Sequence, residues 1–87
     1  MDLHQRLEAL LTLAEQIGLE IRRESLGGDG GGLCELRGRR VLFVDSAADI
    51  DTRYERTLAA IAETPEWESR YVSPELREDL DRMRGSK

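Results

Sequence analysis

The sequence predicts an α+β fold: a helix, three strands and two helices (α-β-β-β-α-α), with the strands in a three-stranded antiparallel meander. Three observations carry this. Apolar residues recur at helical spacing over residues 3–17, the pattern switches to period two after Gly18, and capped helical stripes return after Ser46. Adjacent strands joined by short loops normally pair, which favours the meander. At 87 residues the chain is read as one domain, 1–87.

The first helix is expected over Leu3–Ile17. Leu3, Leu7, Leu10, Leu11, Ala14 and Ile17 fall within an arc of roughly 120° at helical pitch. Asp2 with Gln5 three residues on spells a capping box, and Gly18 stands where a left-handed residue ends a helix. Leu13 lies just outside the arc and widens the apolar face, so an oligomer contact is expected there. Leu19–Ser25 alternates Leu19 and Ile21 against Glu20 and Arg22, as a half-buried strand does.

Residues 27–32 hold five glycines and Asp29. Such a run has high backbone entropy and packs no side chains, so a mobile loop is expected. A phosphate loop is not: a Walker loop needs GxxxxGK with Ser or Thr, and here Leu33 and Cys34 follow. A weaker alternative is that Gly31 and Gly32 open a strand edge to an approaching peptide. Leu33–Arg37 and Val41–Val44 then read as strands about a turn at Arg37-Gly38 or Gly38-Arg39. Either turn puts Cys34, Leu36, Val41 and Phe43 on one face, with Leu33, Glu35, Leu42 and Val44 on the other. That second face calls for cover from a helix or a second subunit.

Ser46 as cap, Asp49 three residues on, and the stripe Ile50, Tyr54, Leu58 and Ile61 predict a second helix from about Ala48 to Glu63. Thr64-Pro65 breaks it. Ser73 as N-cap and Pro74 at the first position start a third helix to about Arg84, with stripe Val72, Leu76, Leu80 and Met83. Arg77 with Asp81 and Glu78 with Arg82 are expected as four-apart ion pairs. Residues 85–87 read as a frayed tail.

Charge and composition narrow the function classes. Eighteen acids against thirteen bases give a net charge of −5, with eleven of the acids in residues 45–87. The pI near 4.9 argues against nucleic acid as a partner, which calls for a basic stripe. No stretch approaches the about 20 apolar residues of a membrane span. The start, Met1-Asp2-Leu3-His4, lacks a basic region ahead of an apolar block, so a cytoplasmic location is expected. One cysteine allows neither an internal disulfide nor a Cys-rich zinc site, and no cofactor is implied.

Few side chains offer chemistry. Cys34 is the one thiol and His4 the one imidazole, the low-ranked candidates for a catalytic dyad; a buried structural cysteine is the plainer expectation. Asp45, Asp49 and Asp51 are the candidate metal ligands, although carboxylates at a helix start need only the helix dipole to explain them. Arg37, Arg39 and Arg40 crowd the hairpin tip and, with Leu13, Leu33 and Leu42, form the candidate interaction set. Trp67 and Tyr71 are expected in the core.

The stretch Gly31-Gly32-Leu33-Cys34-Glu35-Leu36-Arg37-Gly38-Arg39-Arg40-Val41-Leu42-Phe43 resembles the core of small uncharacterised bacterial proteins that pair a GGLC segment with a valine-rich strand and an alanine-rich helix. That resemblance implies no activity. Thr57-Leu58-Ala59-Ala60-Ile61-Ala62-Glu63-Thr64 is distantly similar to the helix of zincin-like metallopeptidases of the ImmA/IrrE type. The two zinc histidines and the glutamate of HExxH fall on Ala60, Thr64 and Ile61, so the resemblance implies a scaffold without zinc chemistry. The expectation is a non-enzymatic protein-interaction or regulatory module, binding a protein partner or itself as a homodimer. The alternatives are a thiol-dependent enzyme or redox sensor using Cys34, and a metal-binding remnant of the zincin-like fold.

Overall fold

In the computed structural model, which describes residues 1–85, the elements run α1 (Leu3–Gln16), β1 (Glu20–Glu24), β2 (Gly31–Leu36), β3 (Arg39–Asp45), α2 (Ile50–Ala62), a 3-10 turn at Glu66–Ser69 and α3 (Pro74–Gly85). Gly85 closes α3 instead of opening a frayed tail; Ser86 and Lys87 lie outside the described residues. No described helix is long and apolar enough to cross a membrane.

The sheet departs from the expected meander. Its order is β1-β3-β2, with β1 parallel to β3 and β2 antiparallel to it. The cause lies in the glycine-rich connection. Glu24 is level with Asp45 and Gly31 with Val44, so β1 ends and β2 begins at the same end of β3. The intervening loop therefore passes over the end of β3, a span of about 10 Å, twice the strand spacing. Gly27, Gly28 and Gly30 make the crossing with φ of +89°, +94° and +95°, values that side-chain-bearing residues rarely adopt.

The β2–β3 hairpin turns at Arg37-Gly38, where both residues have positive φ, +52° and +80°. That is the primed turn whose twist matches the flanking strands. The register sets Leu33 against Leu42 and Cys34 against Val41, the face division expected from the sequence.

Helices α1 and α2 cover the face bearing Leu42 and Val44, and α3 packs against α2. Leu42 and Val44 join Leu7, Leu10, Leu11, Leu13 and Ala14 of α1, Tyr54, Leu58 and Ile61 of α2, Leu76 and Leu80 of α3, and Trp67 in one core, with Leu33 and Ile21 against it. Each fully buried leucine or isoleucine there contributes about 1.5–3 kcal/mol over an exposed one. Trp67 has no exposed surface, its indole N–H reaches Ala62 O at 3.4 Å, and the guanidiniums of Arg77 and Arg84 stand 5.3 and 5.5 Å from its ring centre.

The capping box at α1 forms as expected, Gln5 N–H donating to Asp2 Oδ1 at 2.8 Å and Asp2 N–H to Gln5 Oε1 at 3.0 Å. Gly18 has φ of +90°. At α2 the cap is Asp49, not Ser46: its carboxylate accepts from Thr52 N–H at 2.8 Å. Ser73 does not cap α3 through its hydroxyl, which is buried without a hydrogen-bond partner. In α3 the expected four-apart pairs give way to three-apart ones, Arg82 with Asp79 and Arg84 with Asp81, while Arg77, expected to pair with Asp81, lies over Trp67 instead. Arg84 also meets Glu68 of the 3-10 turn.

Candidate functional site

The helices lie on one side and none covers the other, which leaves a bare face on which Val41 is nonetheless buried at 1% exposure and Phe43 half-buried. Val41 and Phe43 of β3 run along that face, flanked by Glu20 and Arg22 of β1 and by Gly32, Cys34 and Leu36 of β2. Leu36 and Leu26 are exposed large apolar side chains, at 41% and 38%. Glu20, Arg22, Leu36, Arg37, Arg39 and Val41 line a hollow of about 540 Å³. A second hollow of about 390 Å³ lies among Leu26, Asp29, Gly31, Gly32, Leu33, Cys34 and Phe43. In the first, Glu20 accepts from Arg22 Nε at 2.8 Å and from an Arg39 guanidinium nitrogen at 3.2 Å. Those two bonds, the one from Arg22 foremost, hold its carboxyl below the ordinary range. Three guanidiniums against one carboxylate leave this hollow positive in an acidic chain.

The glycine-rich connection is ordered by one carboxylate. Asp45 is completely buried. Its oxygens accept from the N–H groups of Leu26 at 2.8 Å, Gly28 at 2.7 Å, Gly30 at 3.1 Å and Ala47 at 2.9 Å. These bonds, led by the one from Leu26, overcome the burial penalty and hold the carboxyl at about 2. The expectation of a mobile loop is thus corrected: the amides that a phosphate would need are spent on Asp45. Nothing local marks this role, because an aspartate just ahead of a helix reads as part of its cap.

The candidates from the sequence scatter. Cys34 is exposed on the bare face, which corrects the expectation of a buried thiol: the face grouping held, but no helix covers that side. His4 is exposed on α1, which packs on the opposite face, so the fold does not bring the two together. Asp45 and Asp49 have their oxygens engaged by backbone amides and Asp51 sits in the first turn of α2; among the described residues no three His, Cys, Asp or Glu side chains gather as a metal site would require.

The interaction set divides. Leu13 and Leu42 are interior residues at 5% and 0% exposure and Leu33 is packed against the same core, so of the two covers expected for the second sheet face, a helix or a second subunit, the chain's own helices supply it, and Leu13 is not the surface residue that an oligomer contact needs. Arg40 is a staple: it makes paired bonds to Glu66 at 3.0 and 2.9 Å and donates to Ile17 O at 3.0 Å. With Arg70 on Gln16 O at 2.9 Å, it places positive charge at the C-terminus of α1. Arg37 and Arg39 remain exposed at the rim of the bare face. Of the aromatic pair, Trp67 is in the core and Tyr71 is 86% exposed.

Sequence reasoning missed one polar cluster. Tyr54 donates its hydroxyl to Asp79 Oδ2, which also accepts from Arg6 at 2.9 Å, while Arg6 reaches Glu75 at 3.1 Å. Burial first, and then the bond to Asp79, push the Tyr54 hydroxyl well above its ordinary range. The cluster ties α1, α2 and α3 together. The only sequence signal for it was a tyrosine in an apolar stripe.

Compared with known proteins, the chain matches no family model, no curated protein and no solved structure. Ala60, Ile61 and Thr64, the positions equated with HExxH, are buried at 5%, 0% and 3%.

Proposed function

We propose that the chain is a non-enzymatic module that acts by binding protein, and that it works as a homodimer. The observation that carries the reading is the bare sheet face, where apolar Leu26, Leu36 and Phe43 lie beside a hollow rimmed by Arg22, Arg37 and Arg39. Leu26 and Leu36 are exposed and Phe43 half-buried, and apolar side chains left uncovered beside a charged rim are what a binding surface presents. The positive rim suits a partner that brings carboxylates. The test pairs light scattering with affinity capture from the native host. At about 100 µM, a range where micromolar self-association is populated, the mass is expected near twice 9.9 kDa; a strict monomer refutes the homodimer. A captured partner is expected to be lost from the Leu36→Ser/Phe43→Ser variant, and retention there refutes the face.

A second reading follows from the exposure of Cys34 on that same face: a thiol-dependent enzyme or redox sensor. Reaction with a disulfide reagent at pH 7 separates the two. A rate like that of a free small thiol supports the binding module, and one about a hundredfold faster supports thiol chemistry.

A further inference from the structure

The two outer strands of the sheet are protected unequally. β1 reads Glu20-Ile21-Arg22-Arg23-Glu24, four charges in five residues, the usual guard against pairing with another chain. β2 opens Gly31-Gly32-Leu33-Cys34, with no charge before Glu35. The turn fixes which of its backbone groups look outward. Leu36 and Arg39 flank a two-residue loop and so form a hydrogen-bonded pair, which makes Cys34/Val41 and Gly32/Phe43 the next such pairs. Asp45 N–H on Gly30 O, at 3.4 Å, continues that phase. Gly31, Leu33 and Glu35 therefore turn their N–H and C=O groups away from β3, and among the described residues β2 has no other strand beside it.

Helix α2 flanks this edge. Gly31, Gly32 and Leu33 share a hollow of about 230 Å³ with Arg56, Ala59, Ala60 and Glu63. A Cβ built on Gly30 would meet Arg56, so α2 runs in the same direction as β2, Arg56 towards the start of the strand and Glu63 further along. A Cβ built on Gly32 would meet nothing within 4 Å. Arg56 and Glu63 are both exposed, and neither has an ionic partner among the described residues. They stand three positions either side of the Ala59-Ala60 pair.

We infer that a second copy of the chain docks on this seam, about a two-fold axis passing beside Leu33 and the Ala59-Ala60 pair. The inference rests on the homodimeric reading above and names where the copies meet. Reversal about that axis lays β2 against its counterpart with Leu33 opposite the partner's Leu33 and Gly31 opposite the partner's Glu35, so the outward backbone groups of both strands are satisfied in one six-stranded sheet. The same reversal brings Arg56 opposite the partner's Glu63 and Glu63 opposite the partner's Arg56. A two-fold interface must be complementary to itself, and the order Arg56, Ala59-Ala60, Glu63 meets that condition by charge. Ala60 faces the chain's own core, and the small, partly exposed Ala59 beside it lets the two helices approach closely. The bare faces of the two copies then form one continuous surface.

Charge exchange tests the seam in the full chain. Arg56→Glu and Glu63→Arg each set like charges opposite each other twice per dimer, and each is expected to weaken self-association about tenfold or more in sedimentation equilibrium. The double variant restores opposite charges and is expected to return to within about threefold of the parent, the coupling that a double-mutant cycle detects. Both positions are exposed on a helix, and an unchanged thermal midpoint in the dilute monomer checks folding. As a second readout, amide exchange at Gly31, Leu33 and Glu35 is expected to slow as protein concentration rises. A dimer indifferent to both single substitutions, a double variant no better than the singles, or exchange at those amides independent of concentration overturns the seam and leaves the homodimeric reading standing. A parent chain that never dimerises overturns both.

Discussion

Replacing Gly31 by alanine is expected to destabilise the chain far more than replacing Gly28 or Gly32, although all three belong to one glycine-rich run. Gly31 has φ of +96°, and a Cβ there would lie 2.0 Å from the Phe43 carbonyl oxygen and 2.7 Å from its carbon. Those are backbone atoms of the central strand and cannot swing aside. A side chain in such a backbone conformation costs about 1–3 kcal/mol, and forcing β3 to shift adds about 1–3 kcal/mol more, about 2–6 in all. Chains of 87 residues have about 4–13 kcal/mol of stability to lose. Gly28 has φ of +94° with nothing within 4 Å of its Cβ position, so Gly28→Ala carries only the backbone cost of about 1–3 kcal/mol. Gly32 has neither problem, and Gly32→Ala is expected to stabilise by about 0.4–1 kcal/mol through the unfolded chain. Urea unfolding followed by far-ultraviolet circular dichroism, at one low protein concentration so that association does not enter, ranks the three. Equal effects, or a Gly31→Ala midpoint indistinguishable from that of Gly28→Ala, would refute the close packing of the loop on β3.

Asp45 gives a pH signature. Its folded carboxyl is held at about 2 against an ordinary 3.8, so its stabilisation is complete above the ordinary value and is lost as pH falls from there through about 2. Glu20, Asp49 and Glu66 are lowered as well and act with the same sign. The urea midpoint of the parent is expected to fall across that window and that of Asp45→Asn to fall less; parallel curves would show that Asp45 does not organise the loop. Trp67→Ala removes a fully buried indole and is expected to cost about 3–5 kcal/mol in the same assay, whereas a loss under 1 kcal/mol would place that ring outside the core. In a Tyr71→Phe background, the rise in absorbance at 295 nm that marks tyrosinate is expected only together with unfolding, because burial and Asp79 raise the Tyr54 hydroxyl; a reversible rise in the folded chain would contradict the Tyr54–Asp79 contact.

Where the signal is local, the sequence was readable. The Asp2–Gln5 box, Gly18 at the end of α1 and the face division of the hairpin all depend on residues a few positions apart, and each formed. Strand partners are a different matter. Nothing in Glu20–Glu24 says that it lies beside Val41–Asp45 in parallel, because that choice is made by a loop whose shape depends on a carboxylate 15–19 residues further on. Cys34 was grouped with the right neighbours but taken for buried, since periodicity separates two faces without saying which one the helices will cover. Trp67 and Tyr71 look alike in sequence. Trp67 sits inside a 3-10 turn, Glu66–Ser69, that no pattern foresaw and is turned inward, while Tyr71, two residues beyond it, is left in water. The bare face was missed for the same reason as Cys34, and Leu13 and Leu42, placed in the candidate interaction set, proved to be interior.

The central position of β3 also orders events during synthesis. β3 is the last of the three strands to leave the ribosome, yet among the described residues it is the sole sheet partner of both others, so neither ladder is complete before the end of β3 has emerged. Until then the greasy stripe of α1 waits for α2 and α3, with only its own cap to hold it helical. Assembly of this small domain is therefore a late and concerted event, and a nascent chain arrested short of α2 is left with its leucines open to whatever chaperone stands nearby.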